Sequence, residues 1–181
     1  MSRTFKAIPE PVDVTSGDLA EKLGLPNRGI ESARLVIGRR EWLALPDLGV
    51  FPLHAKTDSG ARGSCLHAEN ITLSDDKRSV RFTTENDRGR LIPCEAAVAR
   101  FGRVRNSSGV AEKRVFIETT AMLGGGFRWT ILLSLAKRSE MTSPMLLGRR
   151  ALAGYFLIDP AGADLLGNRR LLEKEMKAQA D

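Results

Sequence analysis

One stretch of this chain sets up a carboxyl for chemistry: Asp58-Ser59-Gly60-Ala61, which follows directly on the extended apolar segment Val50 to Thr57. A catalytic carboxylate has to be presented on a rigid loop at the end of a strand. Glycine at the third position lets the chain turn sharply and lets backbone N–H groups approach the acid. The small hydroxyl of Ser59 can hydrogen-bond to the matching loop of a second copy. On its own the triplet reads first as a turn, because Asp, Ser and Gly are common turn residues. A second feature changes that balance. Met145-Leu146-Leu147-Gly148-Arg149 is a buried apolar run closed by a glycine, with a basic residue opening a short helix.

Other side chains were weighed for chemistry. His54, Cys65, His67 and Cys94 can be drawn as a four-ligand zinc set, but there is no His-Glu-x-x-His and no Cys-x-x-Cys. No metal or cofactor is therefore expected. Cys65 and His67 stand two apart on one strand face, so a Cys–His nucleophilic pair is conceivable. Side chains two apart on a strand point in parallel and do not converge, which favours a hydrogen-bonding His67 near the substrate or a dimer edge. No Gly-rich loop ending in Gly-Lys-Ser/Thr is present, so ATP can act only through a partner. Lys56, Arg62 and Arg149 cluster in sequence around the two motifs. They read either as a solvated rim, pairing with Asp159 or Glu41, or as forks for carboxylates.

The elements that must position these residues read as mostly strands. The 181 residues suit one domain with tails, and 17 Gly with 8 Pro punctuate many short elements. Aromatics make up only 6%, so the core must come from Leu, Val, Ile and Ala. Apolar runs at Leu35 to Gly38 and Trp42 to Leu45 precede a Pro46-to-Gly49 turn. Lys77 to Thr83 alternates, with Val80 and Phe82 on one face. Leu91 to Val104 is a longer apolar-leaning segment. A turn at Arg105 to Gly109 leads into Arg114 to Leu123, and Gly124 to Gly126 turns again into Phe127 to Leu135. Tyr155 to Ile158 is the last strand. These readings place an N-terminal extension at 1–34, with a short helix at Leu19 to Leu23, a folded domain at 35–167, and a tail at 168–181 expected to be a loose helix.

Charge and hydropathy narrow the partners. The net charge is +6, and residues 36–167 hold 19 basic groups against 14 acidic ones. That surplus suits an acidic partner but is too diffuse for nucleic acid, and aromatic stacking motifs are missing. No apolar run is long enough to cross a bilayer, and the start Met1-Ser2-Arg3-Thr4-Phe5-Lys6 lacks a secretory pattern. A cytoplasmic protein without membrane contact is expected.

Taken together, several segments resemble the bacterial retropepsin-like proteins labelled ATP-dependent zinc proteases, the RimB-like group associated with RimK-type ATP-grasp ligases. The resemblance covers about Leu35 to Gly167. It rests on Ile37 to Trp42, Ala55 to Arg62, Cys65 to Ala68, Cys94 to Ala96, Met145 to Leu152 and Phe156 to Pro160. Two positions depart from the family pattern: Ser59 stands where Thr is usual, and Gly63 where a larger polar residue is usual. The resemblance implies a mainly β, closed acid-protease barrel with one short helix and one half-site per chain. It implies an aspartic endopeptidase that works as a homodimer through Asp58, Ser59 and Gly60, with Lys56, Ala61, Arg62, His67 and Arg149 at the substrate. The association with RimK implies poly-glutamate tails as substrate and a ligase as partner. The competing expectation is a silent retropepsin-shaped module that grips acidic tails. A flap over the cleft is expected either at Glu85 to Arg90 or at the hairpin tip from Arg105 to Glu112.

Overall fold

The computed structural model describes residues 34–105, 109–138 and 143–177, and these belong to one compact unit beginning at Arg34. The expected helix at Leu19 to Leu23 and the turn residues Asn106 to Ser108 lie outside the described residues. The chain runs through twelve strands: β1 (Leu35–Gly38), β2 (Arg40–Leu45), β3 (Val50–Asp58), β4 (Ser64–His67), β5 (Glu69–Leu73), β6 (Ser79–Glu85), β7 (Leu91–Ala97), β8 (Arg100–Arg105), β9 (Ala111–Leu123), β10 (Arg128–Ala136), β11 (Met145–Gly148) and β12 (Phe156–Asp159). Two helices complete it, α1 (Arg149–Leu152) and α2 (Arg169–Lys177).

Six strands close on themselves in the order β10-β4-β11-β3-β2-β9, with β9 pairing back to β10. Closure removes open edges from that ring, and β8 is left as the outer strand beside β9. The 13-residue β9 makes closure possible by serving three partners in turn. Its first part pairs with β8, its middle with β10 and its last two residues with β2. The barrel interior is filled by Leu43, Leu53, Leu66, Ile117, Leu133, Met145 and Leu147, all without solvent exposure. Each such side chain contributes roughly 1.5–3 kcal/mol of burial free energy. The mainly-β barrel expected from the sequence is the fold observed.

Two apolar stretches resolve differently from their sequence reading. Ser64 to Leu73 breaks at Ala68 into β4 and β5, which belong to different sheets, so its alternation is imperfect for a structural reason. Leu91 to Val104 splits likewise into β7 and β8. Strands β5, β6 and β7 form a separate antiparallel sheet that sets Val80, Phe82 and Cys94 against the barrel core. In the described part of the tail, Leu172 of α2 is fully buried with Ala44 and Met122, and Met176, Trp42 and Phe51 pack against that cluster. Glu175 adds an anchor by accepting the Gly125 and Gly126 N–H groups at 2.9 and 3.3 Å.

A buried acid ties the barrel's start to its end. Glu41 is 1% exposed; its Oε1 accepts from Gly38 N at 2.6 Å and Leu165 N at 3.0 Å, and its Oε2 from Leu166 N at 3.2 Å. Three backbone donors that would otherwise be orphaned in the interior are satisfied by one side chain. Glu41→Gln turns one acceptor into a donor facing an N–H. It is expected to cost about 1–3 kcal/mol of unfolding free energy in urea titration.

Asp87 carries the pH dependence that follows from this packing. It accepts from His54 N at 2.9 Å, yet partial burial pushes its carboxyl above the ordinary 3.8, more than that bond lowers it. A raised folded-state pKa means the native state holds a proton that the unfolded chain has released. Asp87 therefore subtracts stability as pH climbs from 3.8 through the raised value. Asp87→Asn keeps an oxygen for His54 N–H and should flatten this loss. The variant is expected to gain on the wild type as pH climbs above 3.8 in paired urea titrations.

Candidate active site

Asp58 is the last residue of β3, and its register partner on the parallel strand β11 is Gly148. The preceding Thr57 is buried and fixed twice to the β1–β2 junction. Its N–H donates to Arg39 O at 3.1 Å and its hydroxyl to Gly38 O at 3.0 Å. Past Asp58 the chain turns at once. Gly60 N and Ala61 N both donate to Asp58 Oδ1, at 3.0 and 2.9 Å. Asp58 Oδ2 has no hydrogen-bond partner among the described residues, and the side chain is half-buried. One oxygen is thus locked by the loop and the other is left without a partner among the described residues.

The loop is held from behind by β11 and α1. Gly148 N donates to Ser64 Oγ at 3.1 Å, Arg149 N to Ala61 O at 2.9 Å and Arg150 N to Arg62 O at 3.2 Å. The Arg149 guanidinium then donates to Ser59 O and Gly60 O, both at 2.8 Å. Gly148 permits the approach: a Cβ there would lie 2.4 Å from Gly63 O. The two sequence motifs therefore form one object, a carboxylate loop threaded against a glycine-ended strand.

The structure separates the expected substrate residues. Ala61 and Arg62 line a cleft of about 880 Å3 together with Gly60, Gly63 and Ser64. Arg149 Nη1 is engaged by the loop carbonyls, and among the described residues the guanidinium forms no ion pair with Asp159 or Glu41. Lys56 is exposed on β3 between Arg40 and Leu146, outside the cleft lining. His67 is buried at the far end of β4, where Nδ1 accepts from Arg138 N at 2.9 Å and Nε2 stands 4.0 Å from Glu69. Asp58 itself is not among the residues lining this cleft, whereas Gly60 and Ala61, which donate to its Oδ1, are.

Sequence reading missed the opposite wall. Arg100, Arg103 and Arg105 of β8 and Arg150 of α1 face the same cleft, beside Phe116 and a single acid, Glu118. With Arg62 that makes five arginines, none in an ion pair among the described residues. The signal was there as Arg100-Phe101-Gly102-Arg103-Val104-Arg105, but nothing local in sequence says that this strand lines the same cleft as Gly60 to Ser64.

The sulfur and imidazole groups go elsewhere. His54 stacks on Trp42 at 4.4 Å and its Nε2 contacts Asp164 Oδ1 at 2.7 Å. Cys65 is buried with its Sγ 3.6 Å from Arg114 Nη1. Cys94 is buried against Leu48 O and Ile92 O, and desolvation pushes its thiol up to about 11. Among the described residues no three His, Cys, Asp or Glu side chains are grouped to hold a metal. None of the described helices is long and apolar enough to cross a membrane.

Residues 36–166 match the family described as Retropepsin-like aspartic endopeptidase RimB. Proteins named Probable alpha-L-glutamate ligase are similar over most of this chain. That of Parasynechococcus marenigrum is 40% identical over 142 residues, 76% of this chain but 30% of its own length. That of Shewanella pealeana is 37% identical over 147 residues, 78% of this chain and 32% of its own. The chain thus spans about a third of the length of these relatives. The crystal structure of a Legionella pneumophila protein of unknown function superposes with a TM-score of 0.61 and 29% identity. The match covers 74% of this chain and 99% of that one.

Gly148 gives the site's sharpest structural test. Gly148→Ala forces Gly63 away from β11 and should cost roughly 1–3 kcal/mol of stability. Amide hydrogen exchange at Arg149 and Arg150, whose N–H groups are held by the loop, should speed up; wild-type protection there would refute the brace.

Proposed function

We infer the activity from a premise: the chain belongs to the RimB-like family of retropepsin-like aspartic endopeptidases. On our reading it hydrolyses peptide bonds as a homodimer, each copy supplying Asp58. A single Asp-Ser-Gly loop provides one carboxyl where this chemistry needs two, and a C2 axis supplies the second. Carboxyls about 3 Å apart share one proton and titrate as a pair. The ionised member takes a proton from water while the protonated one polarises the substrate carbonyl.

The observation that carries this reading is the division of labour at Asp58, Oδ1 fixed by two N–H groups and Oδ2 unpartnered. Support for a second copy comes from the two-stranded β1–β12 sheet, which adjoins Thr57 through Gly38 and exposes Leu35, Val36 and Leu157. For the flap, the β8–β9 hairpin is favoured because Arg103, Val104 and Arg105 border the cleft. The Glu85 to Arg90 loop is bonded to Phe51, Pro52 and His54, at the end of β3 remote from Asp58.

The arginine-lined cleft and the ligase names of the relatives support an acidic peptide or protein tail, of the poly-glutamate kind, as substrate. They likewise support a RimK-type ligase as partner, in a cytoplasmic setting. Ala61 and Arg62 are its proposed substrate contacts. The five unpaired arginines equally suit a module that grips such tails without cutting, and one variant separates the two. Asp58→Asn should lower hydrolysis of a glutamate-rich peptide by at least about 10³-fold while sedimentation still reports a dimer. Full activity in that variant, or a wild type that stays monomeric at every concentration, rules out the shared dyad.

A further inference from the structure

Among the cleft arginines, Arg100 is held differently from the rest. Its Cζ sits 3.7 Å from the ring centroid of Phe116, the residue directly opposite on β9. Phe116 is only 5% exposed, so the guanidinium roofs an otherwise buried ring. Gly102, two along and on the same strand face, leaves the notch in which this happens. A Cβ there would lie 2.5 Å from Arg100 Nη1 and 2.9 Å from Phe116 Cε2. Stacking uses the face of a guanidinium and leaves the N–H donors along its edge free. None of those donors meets a carboxylate among the described residues. The stack also removes most of the rotamer freedom that an exposed arginine loses on binding.

We propose that Arg100, preorganised by Phe116 and the Gly102 notch, is a specificity-determining residue that receives a side-chain carboxylate of the bound peptide. The proposal rests on the peptidase reading for its consequence in cleavage, but not for the binding it describes. Arg100 shares the cleft with Gly60 and Ala61, the two loop residues whose N–H groups hold Asp58. The other four arginines have no such support and supply general positive potential. Among them, Arg103 is paired across to Lys113, whose ammonium lies over Phe101 instead.

Binding by the full-length Asp58→Asn protein tests this apart from catalysis. A set of peptides carrying one Glu, exchanged for Gln at each position in turn, would be titrated by calorimetry. One position should show about a tenfold or larger preference for Glu, the scale of a charge-assisted bidentate bond. Arg100→Lys, which keeps the charge and covers Phe116 with its stem, should lose most of that preference while Gln-peptide binding stays the same. Gly102→Ala should act in the same direction by displacing the guanidinium. Thermal unfolding of each variant confirms that the fold is retained. An unchanged Glu/Gln ratio in Arg100→Lys, no positional preference in the parent, or an effect confined to dimer affinity overturns the proposal. Failure of the peptidase reading shows separately, as absence of wild-type hydrolysis with the binding preference intact.

Discussion

The close approach of Gly148 to Gly63 is the contact on which the rest of the site depends. Two backbones meet there at a distance no side chain tolerates, and the contact sets the depth at which β11 passes behind the loop. From that depth follow the bonds of Gly148, Arg149 and Arg150 to the loop, and from those the direction of the Gly60 and Ala61 N–H groups toward Asp58. A carboxylate is useful in catalysis only when its surroundings do not have to reorganise. Here the reorganisation is prepaid by barrel closure, because β3 and β11 are neighbours inside a ring that cannot open at an edge.

Electrostatics divides along the same geometry. The acid side of the site is made of backbone: N–H groups on one oxygen, and carbonyls of the same loop occupied by Arg149. The basic side is made of side chains projecting from β8, the outer strand beside β9, together with Arg62 and Arg150. Cations committed elsewhere are visibly committed. Arg114 forms a 2.6 Å pair with Glu112, and Arg81 a 3.0 Å pair with Glu95.

The name carried by the relatives and the family of this segment describe different stretches of protein. The match occupies about a third of each relative, so the ligase name is given to proteins mostly made of something else.

Residues alone determined the β class, the two motifs and their joint meaning, because strand alternation and a Gly-ended apolar run are local patterns written at fixed spacing. Val80 with Phe82, and Met145 to Gly148, behave as their patterns say. Tertiary structure alone decided what the charged residues do. Arg149 Nη1 braces the Asp58 loop because the loop carbonyls come within reach only after β11 pairs with β3, and Arg100 entered the cleft because β9 carries β8 over from another part of the chain. A long flexible side chain has no preferred partner in sequence. Its role is set by whichever group closure brings within 3 Å, and the 89 residues between Asp58 and Gly148 hold no local record of that meeting.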